Sequence, residues 1–229
     1  MERGRPAACR SVNIGVVEVV EHQGRRQTTG IFKHPTAEEV VVTTAVFGAD
    51  VQADRRAHGG PDRVAYAYAE EDLGWWADEL GRPVPPGSMG ENLTTAGLDV
   101  TGAVIGERWR IGTVLFEVAA LRTPCFKLGI RMGIGAFSSQ FSAARRPGAY
   151  LRVIEPGRLT VGDAIRIERR PGHGVTMAVL ADAYHRDRTI ASRLLDAPEL
   201  SAEWRLWALE QIRRDPVHRL DSTRVAPPA

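Results

Sequence analysis

Through the first two thirds of the chain, apolar residues come in short β-branched runs separated by glycine and proline. Ser11 to Val20, Glu39 to Thr44, Arg63 to Tyr68, Val114 to Val118 and Tyr150 to Ile154 each read as a strand. Two segments change to a helical period. Leu73, Trp76 and Leu80 predict a helix over Glu70 to Leu80, stopped by Gly81-Arg82-Pro83, and a second is expected over Ser138 to Arg145, stopped by Pro147-Gly148. Many strands with few helices predict a mainly β fold, a strongly bent sheet or barrel with helical insertions rather than a doubly wound sheet.

From Val175 onward the spacing is helical throughout: Val175/Val179/Leu180/Ala183, then Ile190/Leu194/Leu195, then Trp204/Trp207/Ala208/Ile212, with Asp187 and Ser201 placed as N-caps. Three helices this short are marginal alone, so they are expected to pack on each other or on the barrel. The organisation expected is a disordered N-terminus over 1–11, a β domain over 12–170, a three-helix segment over 175–214 and a tail over 215–229.

Composition narrows the functions. Across 229 residues, 30 Lys and Arg face 28 Asp and Glu, a formal net charge of +2, and no zinc-finger or RNA-recognition signature is present, so no nucleic-acid partner is expected. No apolar run approaches the roughly 18 residues that span a bilayer, and Arg3, Arg5 and Arg10 are not followed by an uninterrupted apolar stretch, so neither a membrane partner nor a secretion signal is expected. Two cysteines, Cys9 and Cys125, cannot make a disulfide framework and lack zinc-site partners at ligand spacing, which suits a reducing cytoplasm. Trp75, Trp76, Trp204 and Trp207 lie at helical spacing among apolar neighbours and read as packing rather than as a base-stacking platform, although Trp204 and Trp207 also suggest a homodimer face.

Four loops carry polar groups that turns and strands do not need. In Leu121-Arg-Thr-Pro-Cys-Phe-Lys-Leu128, Cys125 lies among the cations Arg122, Lys127 and Arg131, which favour a thiolate, both a nucleophile and a soft metal ligand; the plainer reading is a buried structural cysteine. His58-Gly-Gly-Pro-Asp-Arg63 sets an imidazole, the Asp62 carboxylate and the Arg63 guanidinium around two glycines whose amides suit an anion; an ordinary tight turn explains the same residues. Gly87-Ser-Met-Gly90 followed by Glu91-Asn92 allows close backbone approach and offers, at Asn92, a donor and an acceptor for a purine- or pterin-like edge. Lys33-His-Pro35 adds a cation at a strand end.

Taken together, Lys33-His-Pro35, His58-Gly-Gly60, Gly90-Glu-Asn-Leu-Thr94, Ile105 to Gly112, Pro124-Cys-Phe-Lys127 and Tyr150-Leu-Arg-Val153 resemble the MOSC domain, named for the C-terminal part of molybdenum cofactor sulfurases. The closer resemblance is to the stand-alone bacterial YiiM group, in which a three-helix segment follows the barrel, and it spans roughly Val12 to Arg214. Met89 stands where that group has an aromatic residue, and Gly148-Ala149-Tyr150 replaces its commoner Gly-Trp-Tyr.

The resemblance implies a β-barrel whose cleft binds a molybdenum-pyranopterin cofactor, with Cys125 as the protein ligand to the metal. It implies reduction of N-hydroxylated compounds, such as N-hydroxylated purine base analogues, as in relatives similar to the mitochondrial amidoxime-reducing components. Lys33, His58, Arg63, Asn92, Arg122 and Lys127 are then candidates for the cofactor's phosphate and ring edges, and His58, Asp62 and Glu91 for the proton donor. With no flavin or iron–sulfur signature in the chain, electrons would come from an external reductase. Two other functions fit the same residues: a persulfide carrier using Cys125 for metal–sulfur cofactor assembly, and a noncatalytic carrier of the molybdenum cofactor.

Overall fold

The computed structural model describes residues 6–51 and 59–214. The first half is strand-rich: β1 (Ala8–Gly15), β2 (Glu18–His22), β3 (Arg25–Thr29), β4 (Lys33–Thr36), β5 (Val40–Val42), a 3₁₀ turn η1 (Pro61–Arg63), β6 (Ala65–Ala69), helix α1 (Glu70–Leu80) and β7 (Leu93–Ala96). Next come β8 (Arg108–Ile111), β9 (Val114–Ala120), α2 (Phe126–Met132), α3 (Phe137–Ala143), β10 (Ala149–Glu155), β11 (Gly157–Leu159) and β12 (Ile165–Arg169). The chain's helical end holds α4 (Met177–His185), the 3₁₀ helix η2 (Arg188–Asp196) and α5 (Ala202–Arg214). No helix among the described residues is long and apolar enough to cross a membrane.

Eight strands form one sheet in the order β12-β8-β9-β10-β6-β7-β1-β4, while β2 pairs with β3 and β5 with β11 in two small sheets. All the pairings in the large sheet are antiparallel except β6 with β7, whose parallel run is bridged by α1. The ladder order is linear rather than circular. Its curl nevertheless brings the start of β1 back to the start of β12: Ala8 bridges Ala164, Cys9 N donates to Asp163 O at 2.9 Å, and Ile165 N donates to Ala7 O at 2.8 Å. The expected barrel is therefore a mainly β, strongly curled sheet tied at its seam by a few backbone bonds.

β6 shows how the sequence divides the interior. Its Ala65, Ala67 and Ala69 enter the main core inside the curl, while Tyr66 and Tyr68 point the other way into a second cluster with Trp76 of α1, Met89, Leu128 of α2, and Phe137 and Phe141 of α3. Alternation of small and aromatic residues is the period of a strand buried on both faces. Trp76 Nε1 donates to Tyr68 Oη at 2.8 Å, so the buried indole and phenol satisfy each other.

Several expectations need correction. The strand expected over Ser11 to Val20 is two strands: β1 ends at Gly15 and pairs with β4 and β7, whereas β2 starts at Glu18 and pairs with β3. The N-terminal segment is ordered from before residue 11: Cys9 lies in β1, fully buried opposite Thr95 of β7. The expected helix over Ser138 to Arg145 runs over Phe137–Ala143, and α2, directly after Cys125, has no counterpart in the reading of the sequence. Asp187 and Ser201 do cap, accepting from Thr189 N at 3.0 Å and Trp204 N at 3.5 Å. Of the tryptophans named for a dimer face, Trp204 is buried against Tyr184 and Trp207 while Trp207 is half-buried, and the exposed apolar side chains of α5 are Leu206 and Leu209.

Candidate functional site

A cavity opens where the ends of β3, β6 and β9 meet the loops before β4 and α2. Lys33, Arg63, Asn92, Arg122, Cys125 and Lys127 all line it, together with Asp50, Tyr66 and Tyr150. Six of the residues singled out from sequence thus converge from four distant segments. Its enclosed part measures about 100 Å³, smaller than the roughly 300–1,000 Å³ of pockets that engulf a whole ligand. It suits one polar end of a larger molecule.

The wall on the β4 side is held by a buried carboxylate that sequence reasoning missed. Asp50 accepts from Gly15 N at 2.7 Å, from Asn92 Nδ2 at 2.9 Å and from Lys33 Nζ. Burial pulls the Lys33 pKa below its ordinary value, and Asp50 opposes that pull. Asn92 completes the wall: its Oδ1 accepts from Tyr66 N at 3.1 Å and its Nδ2 also donates to Asn13 O at 3.3 Å. Asn92 lines the cavity with both ends of its amide already engaged, so its part is to position Asp50 and β6.

The turn preceding Asn92 is braced from inside. Glu91 is fully buried, accepting from Gly87 N at 2.6 Å and Thr94 Oγ1 at 2.9 Å through Oε1 and from Met89 N at 3.0 Å through Oε2. Burial raises the Glu91 pKa, and those same hydrogen bonds offset the shift. Glu91 is not among the residues that line the cavity. Glycine is required in this turn. Gly87 has φ +82° and an added Cβ would stand 2.4 Å from Lys33 O, so the turn lies directly on the strand that carries Lys33.

On the opposite wall β9 ends at Ala120 and the chain passes through Arg122 and Cys125 into α2. Cys125 is half-buried and in no disulfide; its carbonyl accepts from Leu128 N at 3.0 Å and from Ser138 Oγ at 2.7 Å, which fixes the backbone behind the thiol. The Arg122 guanidinium lies over the Tyr66 ring at 4.8 Å and donates to Met89 O. Burial works against its charge, but Tyr66, Tyr150 and Cys125 outweigh that and hold its pKa above the ordinary value. Lys127 is buried to 9% exposure, and among the described residues its ammonium has no hydrogen-bond or ion-pair partner. Its charge is available to whatever enters the cavity.

Sequence neighbours part company at η1. Successive residues of a 3₁₀ turn point about 120° apart, so Arg63 faces the cavity, over the Tyr150 ring at 5.9 Å, while Asp62 turns outward to Arg152 with an N–O separation of 2.8 Å. Arg63 also pairs with Glu203 of α5, which ties the C-terminal helices to the site. His58 lies outside the described residues. Two aromatic groups went unnoticed in the sequence as site residues: Tyr150, whose motif was noted without a role, and His22 of the β2–β3 hairpin, stacked on Phe126 at 4.1 Å beside Cys125.

Comparison with known proteins follows from this architecture. The MOSC domain family matches residues 54–166. The chain is 32% identical to the YflK protein of Bacillus subtilis (strain 168) over 198 residues, 85% of this chain and 90% of that protein. It is 31% identical to YiiM of Escherichia coli (strain K12) over 172 residues, 72% of this chain and 76% of that protein. A protein of Gibberella moniliformis named "Reductase" is 33% identical over 119 residues, 50% of this chain and 21% of that protein. The crystal structure of YiiM from Geobacillus stearothermophilus superposes with a TM-score of 0.76 at 27% identity, covering 90% of this chain and 100% of that one. The chain belongs to the MOSC domain family and, within it, to the YiiM-like proteins. Membership associates it with the chemistry of the molybdenum cofactor, from which the family is named.

Proposed function

We propose that this chain is a molybdenum-cofactor-dependent reductase of N-hydroxylated compounds, with the Cys125 thiolate as the protein's ligand to the metal. The observation that carries the reading is the cavity that joins one thiol to the guanidinium and ammonium groups of Arg63, Arg122, Lys33 and Lys127. Its donor set fits the cofactor. A pyranopterin brings its own sulfur donors and an anionic phosphate, so it asks the protein for a soft ligand and for cations rather than for a cage of ligands. Among the described residues no three His, Cys, Asp or Glu side chains gather at a metal-sized site.

In this reading Cys125 holds the metal, while Lys127, Arg122 and Arg63 receive the phosphate and Lys33–Asp50–Asn92 form a preorganised wall. When bound, the cofactor supplies two-electron redox chemistry. In this reading the electrons come from a separate reductase, since the 229 residues carry two cysteines against the four that an iron–sulfur cluster takes. The relative named "Reductase" supports the class of reaction.

The test is turnover. Protein made in a cofactor-competent host is expected to retain stoichiometric molybdenum and to reduce an N-hydroxylated purine with a reduced viologen dye as electron donor. Retention of molybdenum without turnover of any N-hydroxylated compound would make it a carrier, and a labile sulfane sulfur on Cys125 in place of molybdenum would make it a sulfur-transfer protein.

A further inference from the structure

Of the residues proposed from sequence as proton donors, Asp62 and Glu91 do not line the cavity and His58 lies outside the described residues, whereas two phenols, Tyr66 and Tyr150, line it. We propose that Tyr150 delivers the proton to the oxygen that leaves during reduction, an assignment that rests on the reductase reading above. Three observations point to it. Tyr150 lines the cavity with Cys125 and Arg122. Its hydroxyl makes no hydrogen bond to any described residue, whereas the other tyrosines of this cluster are committed: Tyr66 Oη donates to Pro147 O at 2.7 Å and Tyr68 Oη accepts from Trp76. The backbone also aims it, because the β9–β10 register shifts between Tyr150 and Leu151, and such irregularities re-aim side chains beside active sites.

The electrostatics suit a donor. The Arg63 guanidinium lies over the Tyr150 ring at 5.9 Å and Arg122 lines the same cavity, so both cations favour the phenolate left after transfer. The balanced step is R–NHOH + 2 e⁻ + 2 H⁺ → R–NH₂ + H₂O. The N–O bond breaks and the nitrogen is reduced; both electrons come from the external reductant. One proton passes from Tyr150 Oη to the departing oxygen and is replaced from solvent, and the second arrives from solvent directly.

Tyr150→Phe keeps the ring and removes only the acid. Relative to wild type, the variant is expected to retain its molybdenum and thermal stability, to lose about a hundredfold in kcat with KM within about threefold, and to show an enlarged solvent deuterium isotope effect on kcat. A readout independent of turnover uses apoprotein and inorganic molybdate. Loss of one hydrogen bond to a charged oxygen is expected to weaken that anion's binding by about tenfold. Unchanged kcat and isotope effect in Tyr150→Phe, in a protein whose wild type turns over, would overturn the role of Tyr150 alone. A wild type that retains molybdenum but reduces no N-hydroxylated compound would overturn the underlying reading as well.

Discussion

The two cysteines have opposite environments, which makes them a controlled comparison at the scale of single residues. Cys9 is sealed between β1 and β7, and burial, with a smaller contribution from Asp163, pushes its pKa up to about 12 from 9.0. Its thiol therefore stays protonated and inert. A folded-state pKa raised above the unfolded one adds stability that is complete below pH 9 and lost as pH climbs toward about 12. Cys125 lines the cavity and is half-buried. A thiol-specific disulfide reagent at pH 8 is expected to modify one thiol in native apoprotein and two after denaturation, the native one vanishing in Cys125→Ala. Cys9→Ser, which a disordered N-terminus would leave silent, is instead expected to cost about 1–3 kcal/mol, measured by urea unfolding, because a hydroxyl costs more to bury than a thiol and the Ser11 carbonyl, to which the thiol donates at 3.6 Å, offsets only part of that cost.

The same scale shows what the sequence makes visible. Lys33, Arg63, Arg122, Cys125 and Lys127 stood out because charged groups beside glycine or proline are not needed by a turn. Asp50 and Tyr150 did not, because an aspartate before a β-branched residue and a tyrosine opening a strand are ordinary in local pattern. Their importance lies in partners distant in sequence, such as Gly15 and Asn92 for Asp50.

Among elements, legibility follows burial. Helix α1 has the bounds its apolar spacing predicts, and β9 is buried at every position, so its apolar run is unmistakable. Strands such as Arg25–Thr29, Arg108–Ile111 and Ile165–Arg169 carry charge on their exposed positions and do not read as strands in isolation. Helix α2 is seven residues long with a glycine inside, too short for periodicity to declare itself. The turn 87–90 supplies a prediction at this scale. Gly87→Ala places a Cβ against Lys33 O at a residue with positive φ, so a loss of about 2 kcal/mol or more in urea unfolding is expected. Molybdate binding by the apoprotein should weaken with it, since the displaced strand carries Lys33. Retained stability with normal anion binding would show that the turn does not set the site.

For the whole molecule, the curl of the sheet accounts for a site assembled from segments near residues 33, 63, 92 and 125. No local signal encodes the Ala8–Ala164 bridge that ties the seam, and for that reason the convergence of the loops was an inference from motif order rather than from pattern. The C-terminal helices also belong to this assembly more closely than their separate texture implies. Met177, Leu180, Leu194 and Trp204 share one hydrophobic core with β8, β9 and β10, and Glu203 reaches Arg63 at the cavity. Removing residues 175–214 would therefore expose the main core and take away the Glu203 carboxylate that pairs with the cavity-lining Arg63.

The central claim is that this architecture presents one thiolate as the protein's ligand to molybdenum. Its most direct measurement is the molybdenum content of purified Cys125→Ala against wild type, both from a cofactor-competent host and both shown to have the same unfolding midpoint. Wild type is expected to hold stoichiometric metal and Cys125→Ala to hold little, because no neighbouring group replaces a soft sulfur donor; Cys125→Ser should fall close to the alanine variant. Stoichiometric molybdenum with undiminished reductase activity in Cys125→Ala would contradict the account.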